Sequence, residues 1–265
     1  MEIIVCIKQV LDPDLPPAKF AIDSRMNRAI QPDGMPLVIS PYDALAVEAA
    51  LRIKENNTAN ITVLTVGDTS ADVVVKKALA MGADKAVIIS DEAFNESDGF
   101  ATASILAKAI EKIGQYDLIL CGRQAADWDV GMVGLVLAEN LNVPVVTRAK
   151  EIRIRDGEVE VQRLTAGGYE TYGGTLPMVV TVSSELGQAR IPSGMGIIKA
   201  ARQEIPVWSS ADLAIDPSMA GASSARNSLV KLYVPSYERK CEMIEKEDVA
   251  EAAALLAERI AAIIQ

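Results

Sequence analysis

Short blocks of unbroken apolar residues recur along the first half of the chain: IIVCI at 3–7, ITVLTV at 61–66, AVIIS at 86–90 and LILCG at Leu118–Gly122. They are too short for helices and lack polar alternation, so each predicts a strand buried on both faces. Between them the period becomes helical. Residues 43–55 put Leu45, Ala49 and Arg52 on one face with Val47, Leu51 and Lys54 adjoining, and the patterns at 71–82 and 100–114 each run to a glycine stop. Strand and helix in alternation predict an α/β, Rossmann-like fold: a mostly parallel twisted sheet with helices on both faces.

After Pro144 the texture changes. EIRIRDGEVEVQRL alternates polar and apolar residues around Asp156 and Gly157, a strong hairpin signal, and YETYGGTLPMVVTVS continues with another alternating segment. These predict an antiparallel hairpin annexed to one side, and the apolar run Met178–Val182 predicts a last strand returning to the main sheet. From Ala201 onward core-forming residues become sparse until KEDVAEAAALLAERIAAII, which carries Val249, Ala253, Leu256, Ile260 and Ile263 along one helical stripe. The division expected is a body over residues 1–200 and an arm over 201–265 that ends in a helix. That arm either lies against a partner or folds back on its own domain.

Half of the 265 residues are apolar and 23% are charged, an ordinary globular composition. A net charge of −10 argues against a nucleic-acid partner. The opening MEIIVCIKQV has neither the charge nor the cleavage pattern of a signal peptide, and no stretch predicts a membrane helix. A soluble, cytoplasmic protein without direct membrane insertion is expected. Cys6, Cys121 and Cys241 form no metal-type spacing, and the first two sit in apolar runs as buried thiols. The chain has no histidine, which excludes Ser-His-Asp and Cys-His mechanisms and His-ligated metals. No catalytic side chain and no metal ligand is assigned, so any reaction chemistry must come from a bound group.

Candidate binding chemistry gathers after the fourth strand, in CGRQAADWDVGMVG. Open parallel sheets bind ligands at the carboxyl ends of their strands, where backbone donors at helix N-termini face anions. Gly122 leaves the strand, the helix is expected just after Asp129, and Gly131 and Gly134 allow close approach of backbone to a ligand or of helix to sheet. Asp127 and Asp129 could accept hydrogen bonds from ribose hydroxyls, cap the helix, or bind a hard cation, although no calcium-loop alternation surrounds them. Cys6 to Lys8, Ser40-Pro41-Tyr42-Asp43 and Val66 to Asp68 should meet the same crevice. Neither a Walker A lysine motif nor G-x-G-x-x-G is present.

Taken in order, VCIKQV, SPYDALAVEAALRIKE, ALAMGADKA and CGRQAADWDVGMVG resemble the β subunit of electron transfer flavoprotein, from Met1 to about Trp208. The resemblance implies a heterodimer with an α subunit that holds most of an interfacial FAD. It implies electrons accepted from acyl-CoA or similar dehydrogenases and passed to a membrane quinone oxidoreductase. It also implies an adenine nucleotide in this subunit, either AMP or, in electron-bifurcating members that oxidise NADH, a second FAD. Carried over by position, the cofactor site is Cys6, Ser40, Pro41, Tyr42, Asp43, Val66, Gly122, Arg123, Gln124, Ala125, Asp127, Asp129, Val130, Gly131, Met132 and Val133. Val130 and Met132 stand where such loops commonly carry Thr and Gln, which leaves phosphate to backbone N–H groups and favours the smaller AMP. Residues near Val10 to Pro13 are expected toward the interfacial flavin. SSELGQARIPSGMGIIKAAR resembles the family's recognition loop, with Leu186 as the exposed leucine that enters a pocket on a dehydrogenase, and residues 201–265 resemble the region that wraps the α subunit. A nucleotide-sensing protein that acts alone on the same fold is the alternative from another class.

Overall fold

Apolar blocks and helical periods alternate in space as they do in sequence. A computed structural model describes residues 1–155, 157–235 and 241–264. Its strands are β1 (Glu2–Cys6), β2 (Gln9–Val10), β3 (Ala21–Asp23), β4 (Arg28–Ile30), β5 (Val38–Ile39), β6 (Asn60–Val66), β7 (Lys85–Ile89), β8 (Leu118–Gly122), β9 (Val145–Arg155), β10 (Glu158–Thr165), β11 (Gly168–Thr175), β12 (Met178–Val182) and β13 (Val207–Trp208). Its helices are α1 (Pro41–Asn56), α2 (Asp72–Met81), α3 (Gly99–Ile113), α4 (Val133–Leu141), α5 (Gly194–Ala201) and α6 (Val249–Ile264).

Nine strands share one sheet in the order β11-β10-β9-β12-β8-β1-β6-β7-β13. β1 pairs in parallel with β6 and β8, and β12 in parallel with β8 and β9. β10 runs antiparallel between β9 and β11, which is the expected annexed flank. Asp156, half of the turn signal, lies outside the described residues. The central strands read as unbroken apolar blocks because both of their faces are covered. Ile3 and Val5 of β1 enter a core with α1 and α2, while Ile4 and Cys6 enter the opposite core with α3 and α4.

Two expectations need correction. The helix after β8 begins at Val133, not directly after Asp129, because Asp129 (φ 52°) and Gly131 (φ 68°) hold the intervening backbone in the left-handed region. The compact unit extends to Leu232, well past residue 200, and a second unit runs from Tyr233. Residues 201–232 belong to the body because polar contacts replace the missing apolar ones. Ser210 N and Oγ donate to Asp91 Oδ2 at 2.9 and 2.6 Å, and the amides of Arg226 and Asn227 donate to Asp98 Oδ2 at 3.0 and 2.9 Å. Leu213 and Ala220 complete the core under α3. Within the second unit α6 buries no residue, and Val249 and Ile263 of its stripe are more than four-fifths exposed, at 82% and 83%.

Gly134, in the first turn of α4, lies close against the sheet. A Cβ there would lie 2.7 Å from Thr181 Cγ2 of β12. Gly134→Val should therefore lower the free energy of urea unfolding by about 2–3 kcal/mol. Unchanged stability in that variant would show that α4 does not press on the strands at this point.

Candidate functional site

The crevice at the carboxyl ends of β1 and β8 is built around one buried carboxylate. Asp43, in the first turn of α1, accepts from Lys8 N through Oδ2 at 2.8 Å and from Gly122 N through Oδ1 at 3.1 Å. A side chain at Gly122 would run into Asp43 Oδ1 and Tyr42, so glycine is what lets strand and helix meet here. Burial pushes the Asp43 carboxyl up to about 7, against the pull of those two N–H donors and of the nearby Lys8 cation. Both oxygens are engaged with backbone. Asp43 is the floor of the crevice.

Ser40, fully buried, connects the same region from the other direction. Its N–H donates to Lys8 O at 2.9 Å, and its Oγ accepts from Ala126 N at 3.3 Å, which holds the loop after β8. Its hydroxyl therefore serves the loop and makes no capping bond to α1. Pro41 fills the first helical position, and Tyr42 lies under the Arg123 guanidinium, 4.9 Å from ring centre to Cζ. Cys6 and Cys121 face each other in register across β1 and β8. Contact with the Cys6 thiol and burial push the Cys121 thiol well above its ordinary range, so it stays protonated.

The loop itself is internally braced. Asp127 Oδ2 pairs with Lys8 Nζ at 2.6 Å and its Oδ1 accepts from Trp128 N, while Asp129 Oδ1 accepts from Gln124 Nε2 at 2.7 Å. The Asp129 amide donates to Ala125 O at 2.9 Å. Gly131 comes so close to Arg123 that a Cβ would lie 3.1 Å from its carbonyl oxygen. Met132 turns against Gly99 at the start of α3, and Val130 is 64% exposed. Val66 ends β6 with its side chain against the core under α3 and α4.

What the loop leaves available is backbone. Among the described residues, the amides of Val130, Gly131, Met132 and Val133 have no acceptor. Four consecutive N–H groups at a helix N-terminus, after residues with left-handed φ, form a concavity suited to phosphate oxygens. Arg123 Nε is buried and has no hydrogen-bond partner among the described residues, a second donor in the same loop. The donor set fits an anionic nucleotide. Lys8, expected at this crevice with the end of β1 but not among the carried-over cofactor residues, pairs with Asp127.

Leu186, expected to be exposed, is 8% exposed and lies in the core beside α1. Val10 is buried in the β2–β5 pair, and Leu11 to Pro13 reach the surface.

A family profile described as electron transfer flavoprotein domain matches residues 29–213. Over 98% of both chains, the protein is 38% identical to the electron transfer flavoprotein subunit beta of Thermoanaerobacterium thermosaccharolyticum. It is 37% identical, again over 98% of both chains, to subunit CarD of the caffeyl-CoA reductase–Etf complex of Acetobacterium woodii. It is 33% identical to the protein FixA of Azorhizobium caulinodans, over 97% of this chain and 93% of that one.

Asp43 makes the site measurable by pH. Unfolded, its carboxyl ionises near 3.8; folded, near 7. Its contribution to stability is full below about pH 4, is lost as pH rises to about 7, and is flat above, a change on the order of 4 kcal/mol. Asp43→Asn should flatten unfolding stability between pH 5 and 7, a window that a chain without histidine leaves otherwise sparse in titrating groups. If urea titrations of the variant keep the slope, another group is responsible.

Proposed function

Because the chain belongs to the electron transfer flavoprotein family and is akin to its β subunits, we propose that it forms a heterodimer with an α subunit and binds AMP in the crevice beside Asp43. The heterodimer takes electrons from acyl-CoA or related dehydrogenases and delivers them to a membrane quinone oxidoreductase. An FAD held mainly by the α subunit supplies the redox chemistry, for which this chain carries no side chain of its own.

The run of four unpaired amides from Val130 to Val133 carries this reading. They hold phosphate without side-chain help, in keeping with the apolar Val130 and Met132. The Lys8–Asp127 pair and the Gln124–Asp129 bond fix the loop in shape before a ligand arrives, so little ordering is left for binding. Asp127 and Asp129 remain the acceptors within reach of ribose hydroxyls. The exposed apolar stripe of α6 supports a wrapping contact with the α subunit and speaks against a nucleotide sensor that acts alone.

One observation favours a second reading, a second FAD in this crevice with oxidation of NADH. Trp128, on the loop, is half exposed, at 50%, and offers a flat face to a larger ring system.

Quantifying the nucleotides released on denaturing the co-expressed heterodimer separates these readings. One FAD and one AMP per heterodimer is the expected result, and Asp127→Ala should lower AMP retention by about tenfold. Two FAD and no AMP would overturn the AMP assignment in favour of the second reading. Absence of both flavin and partner would overturn the carrier function itself.

A further inference from the structure

Cys6 and Cys121 are the two thiols of the body, and the sheet sets them side by side. Cys6 is the last residue of β1 and Cys121 the last but one of β8, and they are direct partners in the parallel register. Their side chains enter the same core, the one under α3 and α4. Neighbouring strands run about 4.8 Å apart, within the roughly 4.4–6.8 Å between Cα atoms that a disulfide spans. Both thiols are free.

The pair sits at the strand ends that Asp43 grips. That carboxylate holds Lys8 N at 2.8 Å and Gly122 N at 3.1 Å, amides two residues past Cys6 and one past Cys121. The ends of β1 and β8 are thus joined by hydrogen bonds from α1 and meet through sulfur on the opposite face of the sheet. Beyond Gly122 the chain enters the loop whose amides from Val130 to Val133 are unpaired among the described residues. A shift in the spacing of the two strand ends therefore reaches both the Asp43 grip and the loop.

The thiols are enclosed but not sealed. Cys6 is 6% and Cys121 4% exposed, and α4 closes over Cys121 at Gly134, where a Cβ would lie 3.7 Å from the Sγ. Contact with Cys6 and burial keep Cys121 protonated, which slows its reaction as a nucleophile. Such a site admits an oxidant close to water in size and shuts out bulky disulfides.

We infer that Cys6 and Cys121 are a reversible thiol–disulfide pair, oxidised by hydrogen peroxide, whose bonding draws the ends of β1 and β8 together and weakens the nucleotide crevice. The Cys6 sulfur, as thiolate, attacks one peroxide oxygen and the O–O bond breaks; Cys6 becomes a sulfenic acid, and the departing hydroxide takes up the Cys6 proton as water. The Cys121 sulfur then attacks the sulfenic sulfur, the S–O bond breaks and the S–S bond forms, and the second hydroxide leaves with the Cys121 proton. Two thiols give up two electrons and two protons, and one peroxide becomes two waters. Cys121, which keeps its proton until this step, is the resolving sulfur. The new bond shortens the sulfur contact to about 2.05 Å, and the strand ends at Lys8 and Gly122 take up the displacement. The pair takes no part in electron carriage. Its effect on AMP rests on the crevice reading proposed above; the sulfur chemistry does not.

The test uses the co-expressed heterodimer carrying Cys241→Ser, which removes the exposed third thiol. After treatment with hydrogen peroxide, remaining thiols are blocked with N-ethylmaleimide under denaturing conditions, and the chain is digested without reduction and mapped by mass spectrometry. The expected main product is a peptide joining Cys6 to Cys121 that dithiothreitol separates. Retained AMP should fall by about fivefold or more on oxidation and recover when dithiothreitol and fresh AMP are added. With Cys121→Ala added, no linked peptide should form and Cys6 should go on to sulfinic acid, having lost its resolving partner. Sulfinic or sulfonic acid at both cysteines without the linked peptide overturns the inference, as do thiols that peroxide leaves intact in the folded heterodimer. A linked peptide with unchanged AMP overturns the coupling to the crevice. So does AMP loss that survives dithiothreitol, the mark of a sulfoxide such as one at Met132. A heterodimer that holds no AMP before oxidation counts against the crevice reading, while the linked peptide still decides the pair.

Discussion

One carboxylate, that of Asp43, holds together three elements that are far apart in sequence: the first turn of α1, the end of β1 and the end of β8. It reaches the amides of Lys8 and Gly122 from a helix that begins between them in the chain. Each of those amides lies where a strand stops and the ladder no longer supplies an acceptor, so the side chain completes what the sheet cannot. The position of α1 follows from this contact, and with it the placement of Ser40 against the loop that ends at α4. The crevice is therefore a consequence of how the strand ends are satisfied, and the ligand chemistry is laid over it.

α1 also spans the distance between two parts of the body. Asp43 stands at its crevice end, and Glu48 and Arg52 stand one and two to three turns further on, about 8 and 14 Å along a helix that rises 1.5 Å per residue. A single helix therefore registers the crevice against the loop between β12 and α5. Neither end uses a group that changes charge readily near neutrality except Asp43 itself, whose oxygens are turned inward. Geometry rather than acid–base chemistry is what this chain contributes.

The sheet, its order of strand and helix, and the antiparallel flank were legible because each depends on the period of apolar residues, which is local. That Cys6, Ser40 to Asp43 and the loop after β8 meet at one end of the sheet was legible for a related reason, since strand ends and glycines mark such places. What escaped depended on pairing between distant residues. The role of Lys8 at the crevice, as the partner of Asp127, was not visible from its position after a strand, and Leu186 looked exposed because its polar neighbours disguise a side chain that α1 covers. Residues 201–232 looked like an arm because their attachment uses Asp91, Asp98 and backbone amides instead of apolar side chains. The start of α4 was misplaced by a few residues because left-handed φ at Asp129, a residue that tolerates it, has no clear signature in composition.

The unburied stripe of α6 has a bearing on how the protein is managed in a cell. A helix stripe of Val249, Leu256, Ile260 and Ile263 that is exposed is the kind of feature that chaperones and proteases recognise. The proposed assembly with an α subunit would cover such a surface, and surplus copies would continue to display it. On that assembly the helix would distinguish an assembled chain from an orphan, and turnover of orphans would keep the number of copies matched to the partner that covers them.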